Sequence, residues 1–205
     1  MTKKIFTDCV QRLIKTFNEI DLTDQSVYMN WLAQTYYYTS HSEQLLNTFA
    51  NDSQNLDIKN RWLSHANEES GHENLALSDL KRLGGNIEDY PELQITKDLY
   101  EKQVGISKRS SGIAPFGWAL ALEGLAAYVN DDYIEAISKA HGKKATRFIR
   151  VHAEEDEDHI EKALEMVSFI GDNKEIEDNI KLTSDIYCQL LMTCYKIGKS
   201  YKNVA

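Results

Sequence analysis

Along nearly the whole 205-residue chain, apolar residues recur at the i, i+3, i+4, i+7 spacing of an amphipathic helix, and no alternating strand pattern competes. Only two prolines and ten glycines interrupt this pattern. We therefore expect an all-α protein of one domain, residues 1–205. The pattern predicts seven helices, three of them followed by a glycine stop: Lys4 to Asn18, Asp24 to Ala50, Asn55 to Leu83, Thr96 to Ser110, Phe116 to His141, Lys143 to Ile170 and Asn173 to Ser200.

Several of these predicted helices are longer than about 24 residues, which is long for a globular protein. We expect them to bend or break near Ser40, Gly71 and Asn130, where polar or glycine residues interrupt the apolar spacing. Each half of the chain contains an aromatic or apolar helix followed by a helix with two histidines. This order predicts a pseudo-twofold internal repeat within the bundle.

The charge and the ends of the chain exclude several classes of partner. A formal net charge of -9 disfavours binding to nucleic acid or to anionic membranes. The first ten residues, MTKKIFTDCV, lack the apolar stretch of a secretory signal, and the longest apolar run, WALALEGLAAYV, is too short to span a bilayer. Three cysteines, Cys9, Cys188 and Cys194, form no CxxC pair. We therefore expect a cytoplasmic protein.

The same polar pattern, His-x3-acid-x2-His, occurs twice, in HANEESGH (residues 65–72) and in HAEEDEDH (residues 152–159). On a helix, the residues at i, i+4 and i+7 lie within about 60° of one another. Extending each stripe in both directions collects apolar residues, such as Trp62 and Leu80 around the first and Phe148 and Ala163 around the second. Both sets of polar residues are therefore predicted to face the core.

A third polar residue is predicted in the core, because Glu123 is the only charge in WALALEGLAAYV. A buried carboxylate is costly unless it is paired, protonated or bound to a cation. Four imidazoles and three carboxylates are enough for two metal ions that share a bridge. Imidazole with carboxylate and without thiolate suits iron or manganese, and zinc also fits. The candidate metal ligands are His65, Glu69, His72, Glu123, His152, Asp156 and His159.

We assign Glu123 as the bridge, the residues of the first pattern to one ion and those of the second to the other. A hydrogen-bonded network of acids and histidines that fixes helix register is the alternative. In the second helix, Tyr36 and Tyr37 are candidates for a catalytic role, either by shaping a pocket or by donating an electron and a proton, although aromatic runs also pack cores. Glu43 is either a further ligand or solvated.

Three segments resemble the haem-oxygenase-like di-iron oxidase and oxygenase family: HANEESGHENLALSDLKRLGG, ALEGLAAY and RFIRVHAEEDEDHIEKALEMV. That family shares its fold with haem oxygenase, the TenA thiaminases and pyrroloquinoline quinone synthase. The resemblance covers about residues 28–200 and implies a seven-helix bundle with two iron ions that activate dioxygen to oxidise a small organic substrate. His65 and Tyr36 stand where some family members have glutamate, which implies that one iron site is richer in nitrogen or weaker.

Three other functions fit the same pattern. A non-catalytic or redox-inert metal-binding protein would keep the fold and the ligands. A TenA-like enzyme of cofactor metabolism would need a cysteine that lines the pocket, and the three cysteines lie near the chain ends. A ferritin-like bundle would need a second glutamate equivalent to Glu123. A homodimer is compatible with all of them.

Overall fold

Three of the seven predicted helices are each divided in two. The computed structural model describes residues 2–201, apart from the side chains of residues 155, 157 and 201. Within this range there is no strand, so the all-α prediction is confirmed, whereas the predicted number of helices is wrong. The described helices are α1 (Thr2–Glu19), α2 (Gln25–Thr39), α3 (Ser42–Asp52), α4 (Leu56–Glu68), α5 (Glu73–Arg82), α6 (Gln94–Ser110), α7 (Phe116–Tyr128), α8 (Asp131–His141), α9 (Arg147–Ile170) and α10 (Lys174–Tyr201), with 3-10 turns at Ile87–Asp89 and Lys143–Ala145.

The breaks fall at the positions that the sequence indicated. Between α2 and α3, the Ser40 hydroxyl donates to the Tyr36 carbonyl oxygen at 2.6 Å, which satisfies a carbonyl at the end of the helix. Between α7 and α8, the side-chain oxygen of Asn130 accepts the Asp132 amide at 2.7 Å and so caps a new helix. The internal repeat stays a prediction.

Helix α7, which carries Glu123, packs against α1, α9 and α10. Most of its residues are buried, as expected of a helix that is apolar on all sides. Gly117 allows the close approach to α10, since a Cβ atom built there would collide with the Ile176 carbonyl oxygen and lie 2.7 Å from the Ile180 nitrogen. At this crossing the two backbones are in direct contact.

Two apolar clusters fill the bundle, and Leu122 of α7 packs against both of them. One includes Phe17 and Trp31, and the other includes Phe49 and Trp62. The candidate site described below lies where they meet. None of the helices in the described part of the chain combines the length and the hydropathy that a bilayer crossing requires.

Candidate metal centre

The second histidine pattern lies on an unbroken helix, α9, as predicted. Its residues His152, Asp156 and His159 therefore share one face, and the last two are buried. The Nδ1 atom of His152 lies 2.9 Å from the carbonyl oxygen of Phe148. A carbonyl only accepts hydrogen bonds, so Nδ1 carries a proton, and Nε2 is the nitrogen of His152 that is left to bind a metal.

The first pattern is not on one continuous helix. Helix α4 ends at Glu68, Gly71 has a φ of +87° in the turn that follows, and His72 immediately precedes α5. A positive φ is readily adopted by glycine, and it breaks the helix that the spacing predicts. His72 nevertheless stays close to Glu69, since its Nδ1 atom lies 3.7 Å from Glu69 Oε2.

All seven predicted ligands lie in one connected cluster. His65 Nε2 is 3.0 Å from Glu123 Oε1 and 3.7 Å from Glu69 Oε1. On the other side, His159 Nδ1 is 3.1 Å from Asp156 Oδ1 and 3.8 Å from Glu69 Oε1. Three separate parts of the chain, the α4–α5 segment, α7 and α9, therefore contribute to the same cluster.

Among the side chains that the structure describes, two groups of three donors have atoms that all lie within 4.8 Å of one another: His65, Glu69 and His159, and Glu69, His72 and His152. Ligands at about 2.1 Å from one ion are about 3 to 4 Å apart, so small side-chain rotations would close either group. Glu69 belongs to both.

This grouping differs from the predicted one, which gave each sequence pattern its own ion and made Glu123 the bridge. The rings of His65 and His159 are 4.9 Å apart, and those of His72 and His152 are 5.2 Å apart. The start of each pattern thus meets the end of the other. Residue spacing along one helix carries no information on the direction of its neighbour, and for this reason the sequence could not assign the partners.

Burial and charge act against each other within the cluster. Burial disfavours a charged His65, but Glu123 and Glu69 outweigh it and raise the pKa of His65 to about 9. Burial likewise opposes ionisation of Glu69, but the hydrogen bond and charge of His65 lower its pKa to about 2. Burial dominates at Asp156 and, with the nearby Glu123 and Glu69 carboxylates, raises its pKa to about 6.

Among the described side chains of the cluster, the buried atoms His65 Nδ1 and Glu123 Oε2 lack a hydrogen-bond partner. An unpaired carboxylate oxygen in the protein interior is costly, and a bound cation would compensate it. The donor set holds imidazole nitrogen and carboxylate oxygen without thiolate, which suits iron or manganese. By these criteria the residues fit a bound metal ion of this kind.

A cavity of about 90 Å³ adjoins the cluster. No lysine or arginine is among its lining residues, which are Phe17, Trp31, Tyr38, Thr39, Ser42, Leu46, His65, Glu69, Trp118, Ala119, Leu122, Glu123, Leu125, Ala126, Val129, Phe148, Ile149, His152, Asp156 and Tyr187. The walls away from the cluster are mainly aliphatic and aromatic, as in many small-molecule sites.

The tyrosine of α2 that lines the cavity is Tyr38, whereas the predicted catalytic residues Tyr36 and Tyr37 do not line it. Tyr37 donates to the Ile87 carbonyl oxygen at 3.4 Å, and its ring contacts that of Tyr36. Tyr38 lies two helical turns after Trp31, another lining residue, so the two share a face. This spacing was the signal that would have selected Tyr38.

The structure also gives the positions of two further acidic residues, Glu43 and Glu68. Glu43 is exposed, accepts a hydrogen bond from Ser70 at 3.0 Å and belongs to neither three-donor group. The sequence gave no indication of Glu68, whose Oε2 lies 3.3 Å from His159 Nε2. Glu68 is off the predicted inward stripe and is the last residue of α4.

Solved structures with the same architecture confirm the fold. A domain of unknown function with a haem oxygenase-like fold from Shewanella denitrificans aligns with a TM-score of 0.71 and 20% identity, over 98% of this chain and 90% of that one. A TenA homologue from Pseudomonas syringae pv. tomato aligns with a TM-score of 0.69 and 14% identity, over 95% of this chain and 91% of that one. The chain therefore has a haem oxygenase-like fold.

The sequence also matches a family model over residues 29–181, and that family is described as iron-containing redox enzymes. This range includes every residue of the cluster. The chain belongs to this family of iron-containing redox enzymes. No protein of curated function matches the sequence significantly.

Proposed function

We propose that the protein is a dioxygen-activating oxidase or oxygenase that holds two non-haem iron ions and acts on a small organic substrate. The observation that carries the proposal is the pair of three-donor groups that share Glu69. Membership of a family of iron-containing redox enzymes supports iron as the metal. The partners that the proposal implies are dioxygen and the substrate.

Under this proposal, each donor group binds one of the two ions. His65 and His159 would hold one ion with Glu69, and His72 and His152 the other, while Glu123 and Asp156 lie beside the first group. Iron bound here would supply the redox chemistry that dioxygen reduction requires. Manganese and zinc fit the same donors less specifically.

The residues around the cavity would contribute to the reaction in two ways, through the apolar surface of its walls and through tyrosine hydroxyl groups beside it. Apolar walls keep bulk water from the centre and favour a substrate that is largely apolar, and neither lysine nor arginine is among the lining residues. The Tyr38 hydroxyl lies 3.4 Å from that of Tyr187, which accepts a hydrogen bond from Trp31 Nε1 at 3.2 Å. Burial raises the pKa of Tyr187 to about 12, so both hydroxyls keep their protons beside the cavity at neutral pH.

Two alternative functions are compatible with the fold. A TenA-like enzyme is supported by the fold alone, and Cys9, Cys188 and Cys194 are not among the residues that line the cavity. A redox-inert metal-binding protein would use the same donors without consuming dioxygen. A measurement of dioxygen consumption distinguishes this alternative from the di-iron oxidase or oxygenase.

Anaerobic titration with ferrous iron tests the proposal. We expect two ions per chain and, after oxygen is admitted, dioxygen consumption above that of free iron, with Mössbauer spectra of a coupled pair. His152→Ala should bind at most one ion tightly. His41→Ala is the matched control, because His41 stacks on Tyr100 at 3.9 Å, outside both donor groups. Fewer than one ion per chain would refute the metal centre, and two ions without oxygen uptake would support the redox-inert alternative.

A further inference from the structure

Asp79 is a carboxylate that the proposed centre does not use, and it is fully buried. It lies on α5, seven residues after His72, so the two share one face of that segment. Burying a carboxylate at this depth requires a compensating interaction. One such interaction comes from α9, through Asp79 Oδ2, whereas Oδ1 has no hydrogen-bond partner.

The first turn of α9 has no side-chain cap of its own. Thr146 precedes the helix and makes no capping hydrogen bond, and the first turn contains no acidic residue. Asp79 Oδ2 instead accepts the Phe148 amide at 2.8 Å. An acidic group at this position satisfies an otherwise unpaired N–H and interacts favourably with the helix dipole.

Phe148 links this cap to the donor His152. Its carbonyl oxygen accepts the Nδ1 proton of His152 at 2.9 Å, and its ring stacks on the His152 ring at a centroid distance of 4.0 Å. Phe148 thus donates its N–H to Asp79 and uses its carbonyl oxygen to orient His152. Groups behind the metal ligands commonly fix the orientation of a histidine in this way.

We propose that Asp79 is a positioning residue that sets the register of α9 against α5 and thereby holds His152 beside His72. This inference rests on the proposed two-ion centre. It predicts a selective effect, because the group of Glu69, His72 and His152 depends on this register directly. The group of His65, Glu69 and His159 lies two turns further along α9.

Anaerobic ferrous iron titrations of variants test the proposal. Asp79→Ala should keep one tight ion per chain and bind the second about 10- to 100-fold more weakly. Asp79→Leu, which fills a similar volume and accepts no hydrogen bond, should behave in the same way and serves if the alanine variant does not fold. Asp79→Asn keeps an acceptor oxygen and should retain two ions with affinities within about threefold of the original.

Glu177→Ala is the control for a general loss of stability. Glu177 is also buried, and it accepts the Thr2 hydroxyl at 3.0 Å far from the donor groups in sequence, on α10. This variant should bind both ions normally. Unchanged binding in both Asp79→Ala and Asp79→Leu would overturn the proposal, as would equal weakening of the two ions. If the unaltered protein binds no iron, it is the proposed centre that fails.

Discussion

The two histidine patterns have the same spacing but different conformations. On α9 the three donors share one face of an intact helix, whereas the first pattern is split, with two donors at the end of α4 and His72 in the turn before α5. Both arrangements still place three side chains at the cluster. Spacing at i, i+4 and i+7 therefore predicts that the side chains face the core, but it does not by itself predict a continuous helix.

The largest difference expected between the patterns is at their acidic residues. Glu69 belongs to both donor groups, whereas Asp156 belongs to neither. Glu69→Ala should therefore abolish tight binding of both ions, and Asp156→Ala should leave at least one. Metal analysis after anaerobic loading and desalting measures this, with Glu154→Ala as an exposed control on α9. If Glu69→Ala kept two ions, the shared-carboxylate arrangement would be wrong.

A second prediction concerns the protons that are released when metal binds to the first pattern. The pKa of His65 is about 9 without metal, so the residue is protonated at pH 7. Because a ligand must lose its proton, binding should release about one proton from His65, and the affinity should rise by up to about tenfold per pH unit from pH 7 to 9. In the metal-free protein the raised pKa adds stability that is complete below about pH 6.5 and lost as the pH passes 9.

Calorimetric titration at pH 7 in buffers with different ionisation enthalpies counts these protons. His65→Ala should release about one proton fewer for each chain that still binds an ion. An unchanged proton count in this variant would contradict the assignment of the raised pKa to His65.

The smallest expected effect comes from a substitution at the break between α4 and α5. Gly71→Ala places a side chain at a φ of +87°, which should lower the free energy of unfolding by about 1 kcal/mol and weaken the ion held by His72 several-fold. Gly84→Ala is the matched control, because Gly84 has a φ of +85° with no atom within 4 Å of the added Cβ. It should lose similar stability and bind both ions normally. Equal metal affinities in the two variants would show that the break does not position His72.

The sequence predicted the helical class, the inward direction of both patterns and the positions of the breaks, because these depend on local spacing and on single residues such as Asn130 and Gly71. It did not predict which donors group together, since that depends on how α4 and α9 are oriented. The same limit applies to Asp79, whose partner is a backbone amide 69 residues away. Every residue except proline has a backbone N–H, so the sequence does not indicate which one pairs with Asp79.

Gly117 sits six residues before Glu123 on α7, where that helix touches α10 through bare backbone. The depth at which the Glu123 carboxylate enters the bundle is thus fixed by a residue that has no side chain to vary. During evolution the apolar walls of the cavity can exchange one aliphatic residue for another with local adjustment. A larger residue at Gly117 would require α7 and α10 to separate, so we expect this crossing to stay constant while the residues that line the cavity change.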